Sequence, residues 1–148
     1  MERFDMAEET VRKAGEILRG CCLKQEDVHQ KGGHQDLVTY WDRQIERLLR
    51  DAMLSAFPGD AIVGEEYPPE KDRGGDVTWY LDPIDGTTNF INQRRNYAVS
   101  VGCWQGSRPL FGLVLDVERE ELYWAKHGAG AWLDQTPIHV SCCREVAE

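Results

Sequence analysis

Two aspartates, Asp82 and Asp85, stand three residues apart directly after an apolar run that is typical of a β-strand. Gly86, Thr87 and Thr88 follow, where a helix can begin. Carboxylates at the end of a strand are hard oxygen ligands of the kind that Mg²⁺ prefers, and the free backbone N–H groups at a helix start attract phosphate. The combination indicates metal-assisted phosphate chemistry.

Pro83 makes this segment stiff, because proline fixes its own φ and biases Asp82 toward an extended conformation. A stiff turn holds two carboxylates at a set separation, and like charges held together are unfavourable unless a cation lies between them. Taken alone, a D-P-x-D-G segment is also explained by a plain turn with solvated acids and an aspartate helix cap. The residues by themselves leave both interpretations open.

A second acidic segment, Gly64-Glu65-Glu66, follows the short apolar run at 61–63. On its own, a pair of glutamates after a strand is usually a solvated strand end. A role in a site is favoured because Asp82 also follows a predicted strand. If the two strands are neighbours in one sheet, Glu65 and Asp82 lie together.

A third group of polar residues lies earlier in the chain. Lys31, Asp36 and Thr39 have the character of a loop that enters a helix. Asp42 and Glu46 follow four residues apart with like charges, which is mildly unfavourable on a plain helix surface. They therefore either face a cation site or have separate partners, and without further context a structural role is the simpler interpretation.

The composition narrows the classes of function. The chain has 148 residues, enough for one domain, and its net charge of −9 argues against nucleic acid as a partner, because phosphate backbones are bound through clustered Lys and Arg. An acidic protein that handles phosphate is expected to use a cation as intermediary. No run of about 18 apolar residues and no apolar signal core occur, so a cytoplasmic location away from membranes is expected. The five cysteines have no C-x-x-C spacing and are expected to be reduced thiols.

The elements that position these residues are expected to form an α+β fold, with two N-terminal helices packed on a mostly antiparallel β-sheet. Apolar spacings of three and four predict helices over about 2–23 and 41–56, the second capped by Thr39 or Asp42. Gly32-Gly33 indicates a mobile loop between them. Strands are predicted at 61–63, 77–81, 97–104, 110–117, 121–126 and 138–140, with a five-residue hairpin loop at 105–109.

Taken in order, these motifs resemble those of the inositol monophosphatase family of Mg²⁺-dependent, lithium-sensitive phosphatases. The resemblance implies that residues 1–148 form the N-terminal, metal- and phosphate-binding half of the family's αβαβα sandwich, with the C-terminal α/β domain absent. The most specific string is D-P-I-D-G-T-T-N-F at 82–90. The supporting motifs are Lys31-x₄-Asp36-Leu37-Val38-Thr39, Asp42, Glu46, Gly64-Glu65-Glu66 and the segment 98–102.

The resemblance also implies a set of metal ligands. Glu65 and Asp82 would hold a first Mg²⁺ with help from the backbone carbonyl of Ile84. Asp82 would bridge to a second Mg²⁺, with Asp85 as its other ligand on this chain. Physically, such ions lower the pKa of the attacking water, neutralise phosphate charge and steady the leaving alkoxide.

The phosphate site is implied in the same way. Gly86 and Thr87 would offer backbone N–H groups to the substrate phosphate, and Thr87 with Glu65 would orient the attacking water. Arg94 and Arg95 either pair with an anionic substrate or belong to a solvated helix end. The implied catalytic residues are Glu65, Thr87 and Asp85, with Lys31, Asp42 and Glu66 in supporting or loop positions.

The chain also departs from the family pattern. Family members have a second half whose W-D motif completes the second metal site, and Trp41-Asp42 and Leu133-Asp134 are not in that position. The implied function is a Mg²⁺-dependent phosphomonoesterase that hydrolyses inositol monophosphate or a related sugar or polyol phosphate by metal-activated water, incomplete on this chain alone. A second copy or a complementing C-terminal half is the expected partner. Fructose-1,6-bisphosphate and 3′-phosphoadenosine phosphates are alternative substrates, and a non-catalytic metal-binding or oligomerisation module is the alternative function.

Overall fold

Two helices lie against one face of a seven-stranded sheet in the computed structural model, which describes residues 2–24, 26, 28–30, 37–70 and 75–142. Lys31, Asp36 and the predicted Gly32-Gly33 loop lie outside those ranges. The helices are α1 (Arg3–Gly20), α2 (Tyr40–Ala56) and α3 (Thr87–Asn92). The strands are β1 (Val28–Gln30), β2 (Leu37–Thr39), β3 (Ala61–Val63), β4 (Val77–Asp85), β5 (Ala98–Gln105), β6 (Arg108–Asp116), β7 (Glu121–Lys126), β8 (Gly130–Leu133) and β9 (Thr136–Ile138).

The large sheet follows chain order, β3-β4-β5-β6-β7-β8-β9, and its one parallel pair is β3 with β4. Helix α1 packs on β5 and β6, and α2 packs on α1 and β4. Strands β1 and β2 form a separate antiparallel pair that leads into α2. This arrangement confirms the predicted α+β fold with two N-terminal helices on a mostly antiparallel sheet.

The helix predictions are confirmed with small changes at the ends. The stripe of Phe4, Ala7, Val11, Ala14 and Leu18 is buried on one side of α1, as its spacing requires. The helix ends at Gly20 rather than near residue 23, because the chain turns to extended backbone directly after it. Helix α2 begins at 40 with a capping box that uses both of the proposed cap residues, at 39 and 42.

In the second half of the chain, two strand predictions are wrong in their bounds. The hairpin between β5 and β6 has a turn at 106–107 rather than a five-residue loop, and Gly106 takes a φ of 56° there. Pro109 pairs with Trp104 beside a register shift, where proline is tolerated within a strand. The last strand covers 136–138 rather than 138–140, because Asp134, with a φ of 50°, reverses the chain directly after β8.

A buried carboxylate, Asp60, ties α1 to the sheet just before β3 begins. Arg3 donates to both oxygens of Asp60, each over 2.8 Å, and the indole N–H of Trp79 donates to Oδ2 over 2.9 Å. Trp79 is fully buried between Phe57 and Phe111. Such a carboxylate stabilises the fold only while its partners are present.

Two further sequence expectations concern the whole chain. No helix in the described ranges is long and apolar enough to cross a membrane. The cysteines that the structure describes, Cys21, Cys22, Cys103 and Cys142, are all free, as the composition predicted.

Candidate active site

The candidate site lies where β3 ends beside the second half of β4. Val63 at the end of β3 pairs with Tyr80 on β4. Because the carboxyl ends of parallel neighbours meet at one edge of a sheet, Glu65 and Asp82 lie together there. Their carboxyl groups are in direct side-chain contact. The structure therefore confirms that the two strands are neighbours and that the two acidic motifs meet.

A bulge in β4 brings Asp85 to the same side as Asp82. Asp82 pairs with Ser100 and Asp85 pairs with Ala98, so three steps along β4 oppose two steps along β5. In a regular strand, residues three apart point to opposite faces of the sheet. The one extra residue in the bulge shifts this alternation by one step, so Asp82 and Asp85 point to the same face. The strand was predicted to end at residue 81 in a stiff turn; instead β4 continues through the bulge to Asp85.

Asp82 is electrostatically frustrated in this position. Its Oδ1 is buried and has no hydrogen-bond partner within the part of the chain that the structure describes. Burial, the charges of Glu65 and Asp85, and the contact with Glu65 raise its pKa to about 7, while a hydrogen bond from the backbone of Ile84 acts in the opposite direction. A buried, unpartnered carboxylate oxygen beside two further carboxylates is an arrangement that a cation would stabilise.

Gly86 connects the bulged strand to α3. Its φ of 90° lies in the left-handed region, and a Cβ there would stand 3.0 Å from the carbonyl oxygen of Asn96. Glycine is therefore required at this position both by the backbone and by the available space. Helix α3 begins at Thr87, which confirms that a helix follows the acidic motif.

Thr87 links this turn to α2 through Asp42. The Thr87 hydroxyl lies 3.1 Å from Asp42 Oδ1 and 3.0 Å from the carbonyl oxygen of Ile84. Asp42 Oδ2 accepts from both the backbone N–H (2.7 Å) and the hydroxyl (2.6 Å) of Thr39. Burial raises the pKa of Asp42, against the hydrogen bonds from Thr39 and Thr87. Asp42, which the sequence placed only in a supporting or loop position, thus contacts a proposed catalytic hydroxyl.

Glu46 has separate partners from Asp42, which was one of the two interpretations of this acidic pair. Its carboxylate is fully buried and accepts from the backbone N–H groups of Glu66 (2.6 Å) and Tyr67 (3.3 Å). Arg50 pairs with it at 3.3 Å. Sequence analysis assigned Glu46 no role in the site, although it named Glu46 among the supporting motifs and noted its unfavourable like charge four residues after Asp42.

Arg94 neither faces a substrate site nor belongs to a solvated helix end. Its guanidinium donates to the carbonyl oxygens of Leu18 (2.8 Å) and Cys21 (3.0 Å), where α1 ends, and lies 4.4 Å from the centre of the Phe90 ring. It satisfies carbonyl groups that the end of a helix leaves unpaired. Arg95 is exposed, and its side chain donates to the Gln93 side chain over 3.3 Å.

Replacing Arg94 with alanine is expected to lower the free energy of unfolding by about 1–3 kcal/mol, because charged hydrogen bonds to two helix-end carbonyls are lost. Arg95→Ala is the matched control and should change stability by less than about 0.5 kcal/mol, as exposed substitutions do. Urea denaturation followed by circular dichroism measures both. Equal effects of the two substitutions would contradict the proposed capping role of Arg94.

The donor set fits Mg²⁺ by its chemistry. Glu65, Asp82 and Asp85 supply hard carboxylate oxygens, and one of these oxygens is buried with no partner in the described ranges. Among the residues described, no three or more His, Cys, Asp or Glu side chains already stand as a metal-binding group. Glu65 and Asp85 are exposed, and exposed side chains change rotamer readily, so they are able to turn toward an ion beside Asp82.

Comparison with known proteins agrees with this fold. Residues 1–148 match the inositol monophosphatase family. The inositol-1-monophosphatase of Bacillus subtilis is 36% identical over 135 residues, covering 90% of this chain and 51% of the relative. A fructose-1,6-bisphosphatase/inositol-1-monophosphatase of Aquifex aeolicus is 37% identical over 118 residues, covering 80% of this chain and 44% of that protein.

A solved structure gives the same result in three dimensions. The IMPase of Thermotoga maritima superposes with a TM-score of 0.85 at 33% identity, covering 96% of this chain and 55% of that one. The helices, the sheet and the acidic strand ends thus define an inositol monophosphatase-like α+β unit. The chain belongs to the inositol monophosphatase family, and it spans about half the length of the curated relatives it matches.

Proposed function

We propose that this chain supplies the metal- and phosphate-binding centre of a Mg²⁺-dependent phosphomonoesterase acting on inositol monophosphate or a related sugar or polyol phosphate. The observation that carries the proposal is the meeting of Glu65, Asp82 and Asp85 beside the parallel strand pair, around an oxygen that is buried and has no partner among the described residues. Membership of the family supports the reaction class. Two relatives, an inositol-1-monophosphatase and a fructose-1,6-bisphosphatase/inositol-1-monophosphatase, support a phosphorylated polyol or sugar as substrate.

In this proposal, Glu65, Asp82 and the carbonyl oxygen of Ile84 would hold one Mg²⁺, and Asp82 with Asp85 would contribute to a second. When bound, Mg²⁺ lowers the pKa of a coordinated water and neutralises phosphate charge. The backbone N–H groups of Gly86 and Thr87 would contact the substrate phosphate at the first turn of α3. Glu66 supports the site through its backbone, which Glu46 holds.

The proposed role of Thr87 is to orient the nucleophilic water together with Glu65. A hydroxyl has one proton, so Thr87 donates either to Asp42 Oδ1 or to the carbonyl oxygen of Ile84. Donation to Asp42 leaves the lone pairs of Thr87 Oγ1 to accept a hydrogen bond from that water. Burial raises the pKa of Asp42, which favours transfer of a proton toward this carboxylate.

The test is Mg²⁺-dependent phosphate release. Inositol 1-phosphate, fructose-1,6-bisphosphate and 3′-phosphoadenosine 5′-phosphate are offered to the chain alone and to the chain mixed with a separately expressed C-terminal half of the Bacillus subtilis relative. We expect release to rise on mixing and to stop when Mg²⁺ is chelated. No gain over background, with both halves folded and bound to each other, contradicts the proposal.

A second candidate function, an oligomerisation or complementation module, is favoured by the sheet face opposite the helices. Gly102, Gly112, Ala125 and Ala131 pair in sequence across four strands, and we call them the small-residue row. Neither glycine has a positive φ, and a Cβ on either would meet no atom closer than 3.7 Å. Neither the backbone nor internal packing therefore requires glycine there.

Glycine inside a strand weakens it and often marks a place where another backbone approaches closely. Large apolar side chains flank the row, since Tyr80 is 48% exposed and Val114 is 41% exposed. We therefore propose that a second copy of the chain, or a complementing half of the kind tested above, covers this face. A cluster of exposed apolar side chains is typical of an interface.

Gly112→Val tests this surface, because valine fits open space on a strand and favours β structure. We expect the variant to keep the thermal stability of the monomer while weakening association at least about tenfold, equivalent to about 1.4 kcal/mol. Sedimentation velocity over a range of concentrations, alone and with the C-terminal half, measures the change. A wild-type chain that stays monomeric at high concentration and also ignores the C-terminal half argues against this candidate.

A further inference from the structure

The fully buried carboxylate of Glu46 is used by neither the proposed metal site nor the proposed phosphate site. Glu46 lies in the middle of α2, and its side chain is 0% exposed. A carboxylate in such a place stabilises the protein only when its oxygens are well partnered. Its main-chain partners both belong to the loop that follows β3, since the N–H groups of Glu66 and Tyr67 donate to Oε2 and Oε1.

Gly64 lies against the same carboxylate from the other side of Glu65. A Cβ at position 64 would overlap Oε1 and Cδ of Glu46. The φ of Gly64 is not in the left-handed region, so the backbone conformation does not require glycine. The side chain of Glu46 is therefore the reason that glycine stands at 64, and the loop rests directly on that side chain.

Arg50 binds both Glu46 and the loop that follows β3. It pairs with Glu46 at 3.3 Å, reaches the carbonyl oxygen of Pro68 at 3.2 Å and pairs with Glu70 at 2.8 Å. Arg50 is itself buried. Residues 64–70 are thus held to α2 by one carboxylate and one guanidinium.

We infer that Glu46 is a positioning residue: it fixes the backbone on both sides of Glu65 and so directs that carboxylate toward Asp82. The inference rests on the proposed function, in which Glu65 is a metal ligand. Glu46 itself does not bind the ion, because its oxygens are occupied by two backbone N–H groups and Arg50. The exposed side chain of Glu65 changes rotamer readily, so the backbone on both sides of it, which Glu46 holds, sets whether its carboxylate can reach the position beside Asp82.

Glu46→Gln is the principal test, with Asp60→Asn as its matched control. Glutamine has the shape of glutamate, but one of the two backbone N–H groups then faces an amide NH₂ instead of an acceptor. Asp60 is also a buried, arginine-paired carboxylate, and it stands at the opposite end of β3. We expect both substitutions to lower the melting temperature, and only Glu46→Gln to weaken Mg²⁺ binding, by about 10- to 100-fold as is usual for residues that orient ligands.

Two measurements separate the outcomes. Calorimetric titration with MgCl₂ gives the affinity, and hydrogen exchange at the amides of Glu66 and Tyr67 reports loop fixation without any metal. Faster exchange and weaker Mg²⁺ binding in Glu46→Gln, with Asp60→Asn unchanged in both, support the inference. An unchanged Mg²⁺ affinity, or an equal loss in both variants, overturns it. Absence of Mg²⁺ binding by the unsubstituted chain overturns the proposed function, and with it the role of Glu46 toward the ion.

A double-mutant cycle that combines Gly64→Ala with Glu46→Asp provides a second test in case Glu46→Gln fails to fold. Gly64→Ala is expected to lower stability and weaken Mg²⁺ binding, because its Cβ collides with Glu46. The shorter side chain of Glu46→Asp leaves room for that methyl group while keeping the charge. We expect Gly64→Ala to cost clearly less in the Glu46→Asp background. Additive effects, with no coupling between the two positions, contradict the proposed contact and overturn the inference.

Discussion

Asp82→Asn is expected to abolish the stabilisation of this protein by Mg²⁺ and, at the same time, to make the metal-free protein more stable. Asp82 has a buried oxygen that no described residue hydrogen-bonds, and it touches Glu65, with Asp85 nearby. Asparagine has nearly the same shape and removes the negative charge that repels its neighbours. The same charge is what a divalent cation needs, so its removal takes away the ligand that both proposed ions would share.

The raised pKa of Asp82 determines whether the free energy of unfolding rises or falls with pH. The pKa of Asp82 is raised from the usual 3.8 to about 7 in the folded chain. Between these values the folded state binds more protons than the unfolded state, so the free energy of unfolding falls as pH rises through that window. Because Asp82 is partly exposed, we discount the shift for solvent screening, which leaves a loss of about 1–2 kcal/mol. Asp82→Asn should remove this loss above pH 7 and show a flatter profile between pH 4 and 7.

Thermal unfolding at several pH values, with and without Mg²⁺, measures both effects. A ligand that binds only the folded state adds about 2.7 kcal/mol at 100 times its dissociation constant, and this gain should disappear in Asp82→Asn. Asp76→Asn is the matched control, since Asp76 is exposed just before the other end of β4. A Mg²⁺-induced shift that persists in Asp82→Asn would falsify the assignment of Asp82 as a shared ligand.

The meeting of the acidic motifs was predictable on the condition that their strands are neighbours, because each motif comes directly after an apolar run. Helices α1 and α2 were predictable from their apolar residues, because burial of one helix face imposes a spacing of three and four along the sequence. Thr39 and Asp42 were both proposed as caps of α2, and the structure uses both. These features are local, or follow from the pairing of two local elements.

The bulge between Asp82 and Asp85 was not predictable in this way. A strand is recognised by a period of two, and one inserted residue breaks that period where Pro83 already suggests that the strand has ended. The contact between Glu46 and Gly64 was hidden for a different reason. It joins a helix to a loop 18 residues later, and neither residue type alone indicates the other. The bulge sets the direction of Asp85, and the contact with Glu46 sets the backbone beside Glu65. The geometry of the candidate site was therefore less predictable than the fold that holds it.

Thr87→Val is expected to reduce Mg²⁺-dependent phosphate release by about 100- to 1,000-fold, within the range found when a group that orients or moves a proton is removed. Valine keeps the branched shape of threonine but has no hydroxyl to join Asp42 to the attacking water. Thr87→Ser keeps the hydroxyl and should retain most of the rate. Thr88→Val, at an exposed neighbouring position on α3, is the control for a general effect on the helix.

A readout that is independent of turnover accompanies this prediction. Asp42 is only 3% exposed, and Thr87→Val removes the donor 3.1 Å from its Oδ1. Loss of that donor should lower the free energy of unfolding by about 1–3 kcal/mol at neutral pH, the usual cost of an unpaired buried polar group. If Thr87→Val loses this stability and keeps its rate, the hydroxyl only supports α2. If both fall in Thr87→Val while Thr87→Ser keeps them, the hydroxyl joins the carboxylate on α2 to the chemistry at the end of β4.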